Sequence, residues 1–168
     1  MNAAHTGRPR RGRLLLAGLC GALLAACAQP PRPSGAAPDH WSGRLAVQVE
    51  DEASRSFNAG FELMGGPDAG ALTLFNPLGN VIAKLKWSAG HAELDNGTEV
   101  RRSTSLPALV YELTGTELPI AALFGWLRGE QVQATGWEAD LSALDRGRVT
   151  ATRHSPAPRT ELRIILSL

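Results

Sequence analysis

The sequence predicts an α+β fold in which two helices pack against one face of an antiparallel sheet. Three observations predict it: apolar and polar residues alternate in the first half, two helical repeats follow, and strand patterning returns near the C-terminus. Alternation at every second residue is typical of a strand with one buried face, whereas spacings of three and four residues are typical of an amphipathic helix. Each helix has one apolar stripe, so both stripes are expected to be buried on the same sheet.

Residues 1–26 have the pattern of a lipoprotein signal peptide. Four arginines precede an apolar run over residues 14–26, and small residues lead directly into Cys27. A basic head, a short apolar body and a small-residue cleavage site are typical of secretion, and the run is shorter than the about 20 residues that span a membrane. We expect cleavage before Cys27 and attachment of lipid to its thiol. The alternative is an ordinary cysteine beside a plain secretory cleavage site.

Composition excludes several classes of protein. The chain has 17 Lys and Arg against 16 Asp and Glu, and loss of residues 1–26 removes four arginines and no acid, which leaves a net charge of −3. That balance gives no basic footprint for nucleic acid. Cys20 is lost with the signal and Cys27 carries lipid, so no thiol remains for a disulfide, a metal or catalysis. Ala28 replaces the aspartate that commonly retains lipoproteins in the inner membrane, which favours the outer membrane in a Gram-negative host.

The mature chain is expected to comprise a tether and one domain. Residues 27–38 are rich in Pro and Ala and lack apolar periodicity, which is typical of extended or disordered chain. Residues 39–168 have a length that suits a single domain.

Strands are predicted through the first half of this domain. Apolar residues alternate with polar ones over residues 45–49, 57–63 and 81–87. Turn residues occur at 65–68, 88–90 and 96–97, and short turns between consecutive strands indicate an antiparallel meander. The tail is predicted to return to strand over residues 148–153 and 161–168.

Two helices are predicted between these groups of strands. The first has its stripe at Leu106, Leu109, Val110 and Leu113, with Ser105 as cap, Pro107 in the first turn and Gly115 at the end. The second has its stripe at Ile120, Leu123, Phe124 and Leu127, begins at Thr116 or Glu117, carries Pro119 in its first turn and stops at Gly129. Periodicity alone leaves two interpretations open: a solid core, or an apolar pocket between helices and sheet.

The turn over residues 76–80 has an unusual tip. Its sequence is Asn76-Pro77-Leu78-Gly79-Asn80, and a leucine occupies the position where a polar residue is the default. Leu78 either folds back onto the sheet or forms an exposed apolar projection near a membrane.

Enzyme signatures are missing from the sequence. His40, His91 and His154 are scattered without metal-ligand spacing. The chain has neither a G-x-S-x-G elbow nor a Walker loop. We therefore expect no catalytic activity, no metal and no cofactor.

The ordered set of motifs resembles the LolB family of outer-membrane lipoprotein receptors. The matching segments are Cys27 with its preceding small residues, Gly43-Arg44-Leu45-Ala46-Val47, Phe57-Asn58-Ala59-Gly60-Phe61, Asn76-Pro77-Leu78-Gly79, the block from Leu109 to Ile120, Trp126-Leu127-Arg128-Gly129 and the closing strand at 161–168. The stretch before the first strand is short, so the family's N-terminal helix is expected to be absent or reduced to a turn near residues 39–41.

The resemblance implies a curved antiparallel sheet, an incomplete β-barrel, whose open side is covered by helices over an apolar cavity for acyl chains. The residues expected around this cavity are Phe57, Phe61, Leu63, Leu85, Leu109, Val110, Leu123, Phe124 and Leu127, with Trp126 and Trp137 at the rim. Taken singly, each is more typical of plain core than of a contact with a ligand. The resemblance also places a membrane-insertion role on the loop of Pro77, Leu78 and Gly79.

The function implied is that of a lipid-anchored receptor on the periplasmic face of the outer membrane. It would accept the acyl chains of lipoproteins from a soluble LolA-like carrier and insert them into the inner leaflet, in contact with outer-membrane phospholipid. We expect a monomer. The alternative is a structural outer-membrane lipoprotein that binds cell-wall glycan or an assembly partner; it predicts a solid core and a dispensable Leu78.

Overall fold

The structure, a computed structural model, describes residues 39–167. The predictions for the signal peptide, Cys27 and the tether lie outside the described residues. Within them the chain forms nine strands and two α-helices, with the helices between the sixth and seventh strands. This order of strands, helices and strands confirms the predicted arrangement. Neither helix of the described part is long and apolar enough to cross a membrane.

The elements have the following bounds. The first six strands are β1 (His40–Val49), β2 (Phe57–Gly65), β3 (Gly70–Phe75), β4 (Val81–Ser88), β5 (His91–Asp95) and β6 (Val100–Ser103). The helices are α1 (Leu106–Thr114) and α2 (Ile120–Leu127), and the last strands are β7 (Trp137–Asp140), β8 (Arg148–Arg153) and β9 (Thr160–Leu166).

All nine strands belong to one antiparallel sheet. Strands β1 to β6 follow one another in space as in sequence, which confirms the predicted meander. The last three strands extend the sheet on the other side of β1, because β9 pairs with β1 and β8 lies between β9 and β7. Strands β6 and β7 are the two edges, and no pairing between them occurs within the described residues. The sheet is therefore open, consistent with an incomplete barrel.

Both helices are buried against the inner face of this sheet. Phe124 of α2 is fully buried, and its ring meets Trp41 at 5.7 Å and Trp87 at 6.1 Å between centroids, both edge to face. Buried side chains of the strands and of both helices form one continuous core. This arrangement confirms that the two apolar stripes share one sheet, as burial of apolar area requires.

Helix α1 has the predicted ends. The Ser105 hydroxyl accepts a hydrogen bond from the amide of Ala108 at 3.3 Å, and Pro107 lies in the first turn. Gly115 adopts the left-handed conformation at the C-terminus, with φ of 68°, and its amide donates to the Tyr111 carbonyl. The short polar cap and the glycine stop therefore act as the sequence predicts.

Helix α2 begins later than predicted. It starts at Ile120 after Pro119, with no side-chain cap, so the prediction of a start at Thr116 or Glu117 is wrong. Thr116 is fully buried, and its carbonyl oxygen lies 2.8 Å from the Thr114 hydroxyl, which holds it in the link between the helices.

The closing strand differs slightly from prediction, and of the two expectations for the N-terminal end only the helical turn is excluded. The closing strand runs from Thr160 to Leu166 rather than over residues 161–168. At the N-terminus, His40 and Trp41 already belong to β1 and pair with β2, so no helical turn occurs at these two residues. Pairing with β2 satisfies their backbone groups in place of a turn.

Candidate functional site

The space between the helices and the sheet is lined almost entirely by apolar side chains. It comprises a cavity of about 30 Å³. Its lining residues are Leu45, Phe57, Phe61, Leu63, Leu72, Leu74, Val110, Leu113, Thr114, Leu118, Ile120, Leu123, Leu127, Leu162 and Ile164. None of these carries a charge. The cavity can therefore hold only an apolar group.

Thr114 is the single polar residue of this lining. Its hydroxyl lies 2.8 Å from the Val110 carbonyl and is buried. A hydroxyl that already has a backbone partner offers little to a ligand, because burial of an unpaired polar group is costly. Recognition here must depend on apolar area and shape.

The cavity is small in this structure. A volume of about 30 Å³ accommodates about two water-sized groups. The acyl chain of a lipoprotein is far larger, so it can enter only if α1 or α2 moves away from the sheet. An interior of acyl-chain size stays a prediction that depends on this movement.

The structure divides the eleven predicted cavity residues into two groups. Those in the lining are Phe57, Phe61, Leu63, Val110, Leu123 and Leu127. Those outside it are Leu85, Leu109, Phe124, Trp126 and Trp137. The second group packs in or against the same core, so its members belong to the packing around the cavity and not to its lining. Contact of any of them with acyl chains stays a prediction.

Sequence reasoning missed several lining residues on the strands. Leu45 belongs to the alternating pattern of β1, and the others are Leu72, Leu74, Leu162 and Ile164 on β3 and β9. Their signal was present as inward positions of alternating strands. Selecting them required knowledge that β9 pairs with β1, which brings the first and last strands of the described residues under the same helices.

Trp126 and Trp137 do not occupy equivalent positions. Trp126 is buried, and its indole Nε1 donates to the Val132 carbonyl at 2.9 Å. Trp137 is partly exposed, with its ring centroid 6.3 Å from that of Trp126. Trp126 thus holds the segment after α2 against the helix, and only Trp137 has the exposure that a rim position needs.

Within the described residues, Arg55 is one of two arginines that connect α1 to the sheet region, the other being Arg101 of β6, which pairs with Glu112 of α1. The Arg55 Nε donates to the Gly115 carbonyl at 2.9 Å, across 60 positions of sequence. Its Nη1 lies 2.8 Å from a carboxylate oxygen of Glu52. The hydrogen bond with Glu52 raises the pKa of Arg55 above its ordinary value, so the guanidinium stays charged. Arg55 therefore holds the C-terminal end of α1 against the link between β1 and β2.

The loop between β3 and β4 presents Leu78 to solvent. The Leu78 side chain is 86% exposed, so it does not fold back onto the sheet. The Asn76 side-chain oxygen accepts from the amides of Leu78 at 2.9 Å and Asn80 at 3.0 Å. Gly79 takes a φ of 83°, which favours glycine. These bonds give the loop a defined shape with an apolar tip.

Exposed apolar residues continue beyond this tip. Val81 and Ile82, which begin β4, are 49% and 42% exposed. The pairing of β3 with β4 is irregular here, since the register shifts between Leu74 and Phe75. Such an irregularity turns side chains away from regular alternation. Three aliphatic side chains are consequently exposed at one corner of the sheet.

The described residues contain no group of three or more His, Cys, Asp or Glu side chains placed to hold a metal ion. His40 begins β1, His91 begins β5 and His154 follows β8, so the three lie on different elements. The features that the structure does bring together are an apolar interior, a helical cover and an exposed leucine.

Comparison with known proteins finds one family. A family model described as "Outer membrane lipoprotein LolB" matches residues 39–157. The outer-membrane lipoprotein LolB of Bordetella petrii is 32% identical, with 91% of this chain and 90% of that protein covered. The corresponding protein of Alkalilimnicola ehrlichii is 35% identical over 81% of this chain and 74% of its own length. That of Bordetella pertussis is 28% identical, with 87% of both chains covered.

Proposed function

Because this chain belongs to the LolB family of outer-membrane lipoproteins, we propose that it accepts lipoproteins from a LolA-like periplasmic carrier and inserts them into the inner leaflet of the outer membrane. The observation that carries this proposal is the apolar interior beneath two helices, whose lining has no charged group. Transfer of an acyl chain between apolar sites needs no covalent chemistry. The protein therefore acts as a receptor and not as an enzyme.

The size of an acyl anchor makes such an interior necessary. Three chains of about 15 methylenes gain about 36 kcal/mol on burial, at about 0.8 kcal/mol per methylene. Passage through water would forfeit that free energy. The chains must instead pass from the interior of the carrier to that of the receptor, and then to the bilayer. The direction of transfer follows because the affinity for the acyl chains increases from the carrier to the receptor and from the receptor to the bilayer.

Loading requires that the helical cover move. The closed cavity of about 30 Å³ leaves no room for an alkyl tail. The contact between Arg55 and the Gly115 carbonyl holds α1 to the sheet, so it opposes this opening. An incoming chain would replace the contacts between the helices and the sheet with contacts of its own, which offsets the loss of packing.

Leu78 acts at the release step. Burial of one leucine yields about 1.5–3 kcal/mol, which cannot hold a protein on a membrane. Lipid on Cys27 supplies the anchor, since each buried methylene contributes about 0.8 kcal/mol. Leu78 instead enters the lipid surface at one point and disturbs it where the chains are delivered. We expect the protein to work as a monomer on the periplasmic face of the outer membrane.

An acyl-binding assay tests the proposal. A chain that starts at residue 28 keeps every described element and lacks both cysteines, Cys20 and Cys27. A fluorescent fatty-acid probe should bind it saturably, with palmitate as competitor. Since no titratable group lines the cavity, the protein itself should add no pH dependence to the affinity between about 5 and 8 beyond that caused by the probe's own carboxyl group.

A reversible crosslink tests whether the cover must open. A Cβ on Gly115 would lie 3.7 Å from that of Arg55, close to the about 3.8 Å typical of a disulfide. The R55C/G115C variant should bind the probe when reduced and lose most binding when oxidised. Single variants R55C and G115C, treated with the same oxidant, are the controls. Equal binding in both redox states would contradict opening at α1.

A second candidate function is favoured by the same small cavity. A structural lipoprotein that binds cell-wall glycan would need a filled core and no acyl site. It predicts no saturable binding of the probe to any variant. It also predicts that Leu78 is dispensable, so that cells carrying a substitution at Leu78 localise their lipoproteins normally.

A further inference from the structure

The outer face of the sheet has an open groove beside the Leu78 loop. The groove has a volume of about 640 Å³ and lies on the side of the sheet away from the helices. Pro77 and Gly79 line one part, and Arg44, Arg163 and Ile165 line another. The Leu78 loop and the two arginines, Arg44 and Arg163, therefore border the same groove.

A glycine keeps this groove open. Gly60 pairs with Arg44 on one side and with Phe75 on the other, so it lies between them on the outer face. A Cβ at Gly60 would approach the Phe75 Cβ to 3.4 Å. With no side chain there, the floor between the arginine and the loop is backbone.

Arginines concentrate on the same face. Ile165 of β9 pairs with Arg44 of β1 and with Arg148 of β8, which places both guanidinium groups beside it on one face. Arg163 precedes Ile165 by two residues and shares that face. Arg163 pairs with Glu161, whereas Arg44 and Arg148 form no ion pair within residues 39–167.

Exposed aliphatic groups accompany these charges. Ile165 is 53% exposed between its two arginines, and Leu78 projects from the adjoining loop. Glu62 is the one acidic side chain among the residues that line the groove. We name this surface, made of Arg44, Arg148, Arg163, Ile165 and the loop of residues 76–80, the basic-apolar face.

The combination matches the chemistry of a membrane surface. Phosphate groups attract cations at the surface of an anionic bilayer, and aliphatic side chains gain free energy just below that level. A protein partner would offer a pocket for Leu78 and carboxylates for the arginines. The bilayer accepts both at any position, so it suits a single projecting leucine with no defined counterpart.

We propose that the basic-apolar face binds the anionic phospholipid headgroups of the target membrane while Leu78 enters the lipid. The inference rests on the proposed function and adds the lipid class that is recognised and the side of the protein that meets it. The sheet then faces the bilayer, and the helical cover faces away from it. Each cation near an anionic surface raises the partition coefficient about fivefold, so two arginines together raise it about 25-fold.

Vesicle cosedimentation tests the proposal. The protein is the chain from residue 28, and the vesicles contain either phosphatidylethanolamine with phosphatidylcholine or the same mixture with about one quarter phosphatidylglycerol. The R44E/R148E variant should bind the anionic vesicles at least tenfold more weakly than the unsubstituted chain at low salt. Binding of the unsubstituted chain should fall in 0.5 M salt, as screening requires.

The matched control is R101E/R128E. It makes the same change in charge at two exposed cations on the helical side of the sheet, since Arg101 pairs with Glu112 of α1 and Arg128 follows the last residue of α2. This control should keep more than half of the binding. Equal losses in both double variants, or equal binding to both vesicle types, would overturn the proposal. So would dimerisation that R44E/R148E abolishes, because the face would then belong to a second copy.

Acyl-probe binding separates this inference from the function on which it rests. R44E/R148E should bind the fluorescent fatty acid as the unsubstituted chain does, because the outer arginines do not line the interior. Normal probe binding with no dependence on anionic lipid would overturn the inference alone. Loss of probe binding in the unsubstituted chain would overturn the function.

Discussion

At the scale of single residues, the position of Leu78 depends on its neighbours. Asn76 accepts two loop amides through its side chain, and Gly79 provides the positive φ that the turn needs. A leucine at the tip of such a loop cannot relax onto the sheet without breaking these hydrogen bonds. The local sequence therefore maintains an exposed apolar side chain that solvation alone would disfavour.

Replacement of Leu78 tests its role in release. The Leu78→Glu variant should capture lipoproteins from the carrier normally but deliver them to liposomes about 10–100-fold more slowly, equivalent to loss of about 1.5–3 kcal/mol of burial. Delivery is measured as transfer of a labelled lipoprotein to the liposome fraction. Val100→Glu, at an exposed position on the edge strand β6, is the control and should deliver normally. Unchanged delivery by Leu78→Glu would remove the loop from the mechanism.

At the scale of elements, the cover consists of two short helices held at different points. Helix α2 is buried on most of its surface, whereas α1 buries Leu109, Val110 and Thr114. The end of α1 is held by Arg55 through the Gly115 carbonyl. Since α1 has the smaller buried surface, we expect it to move more readily than α2.

Loss of the Arg55 contact should loosen α1. Arg55→Met keeps most of the aliphatic stem but removes the hydrogen bonds to the Gly115 carbonyl and to Glu52, so we expect several-fold faster uptake of the acyl probe in stopped-flow measurements and a lower urea midpoint. Arg102→Met is the control, because Arg102 pairs with Glu93 on the outer face of the sheet, opposite the face against which α1 packs. Slower uptake in Arg55→Met, or equal changes in both variants, would count against a closing role for Arg55.

At the scale of the whole molecule, one strand pairing joins the first and last strands of the described residues. Strand β1 joins the two parts of the sheet, with strands β2 to β6 on one side and β9, β8 and β7 on the other. Gly43 pairs with Leu166, and a Cβ on Gly43 would lie 2.0 Å from the Ile165 carbonyl oxygen. Only glycine permits this approach.

Substitution of Gly43 should weaken that pairing. Gly43→Ala is expected to lower the free energy of unfolding by about 1–3 kcal/mol, because backbone must shift to admit the methyl group. Urea denaturation measures the change. Gly66→Ala is the control, since a Cβ at Gly66 meets nothing within 4 Å. Equal stability of the two variants would show that the sheet accommodates a side chain at Gly43.

The sequence by itself determined the elements of this protein, because their signals are local. Alternation predicted the meander, Ser105 and Gly115 predicted the ends of α1, and the pattern over residues 148–153 predicted β8 with its observed bounds. The start of α2 was mispredicted because Thr116, a good cap by residue type, is buried in the link between the helices. Local propensity yields to tertiary packing at such a position.

Only the tertiary structure decided which side chains meet. Pairing of β9 with β1 brings Leu162 and Ile164 beneath α1 and α2, which precede them by about 50 and about 40 positions. Pairing of β9 with both β1 and β8 places Arg44 and Arg148 on either side of Ile165. No local pattern contains that information, because contacts between distant segments follow from the register of the sheet. The closed interior has the same origin: periodicity shows which faces are apolar, but the fit between those faces sets the space that remains.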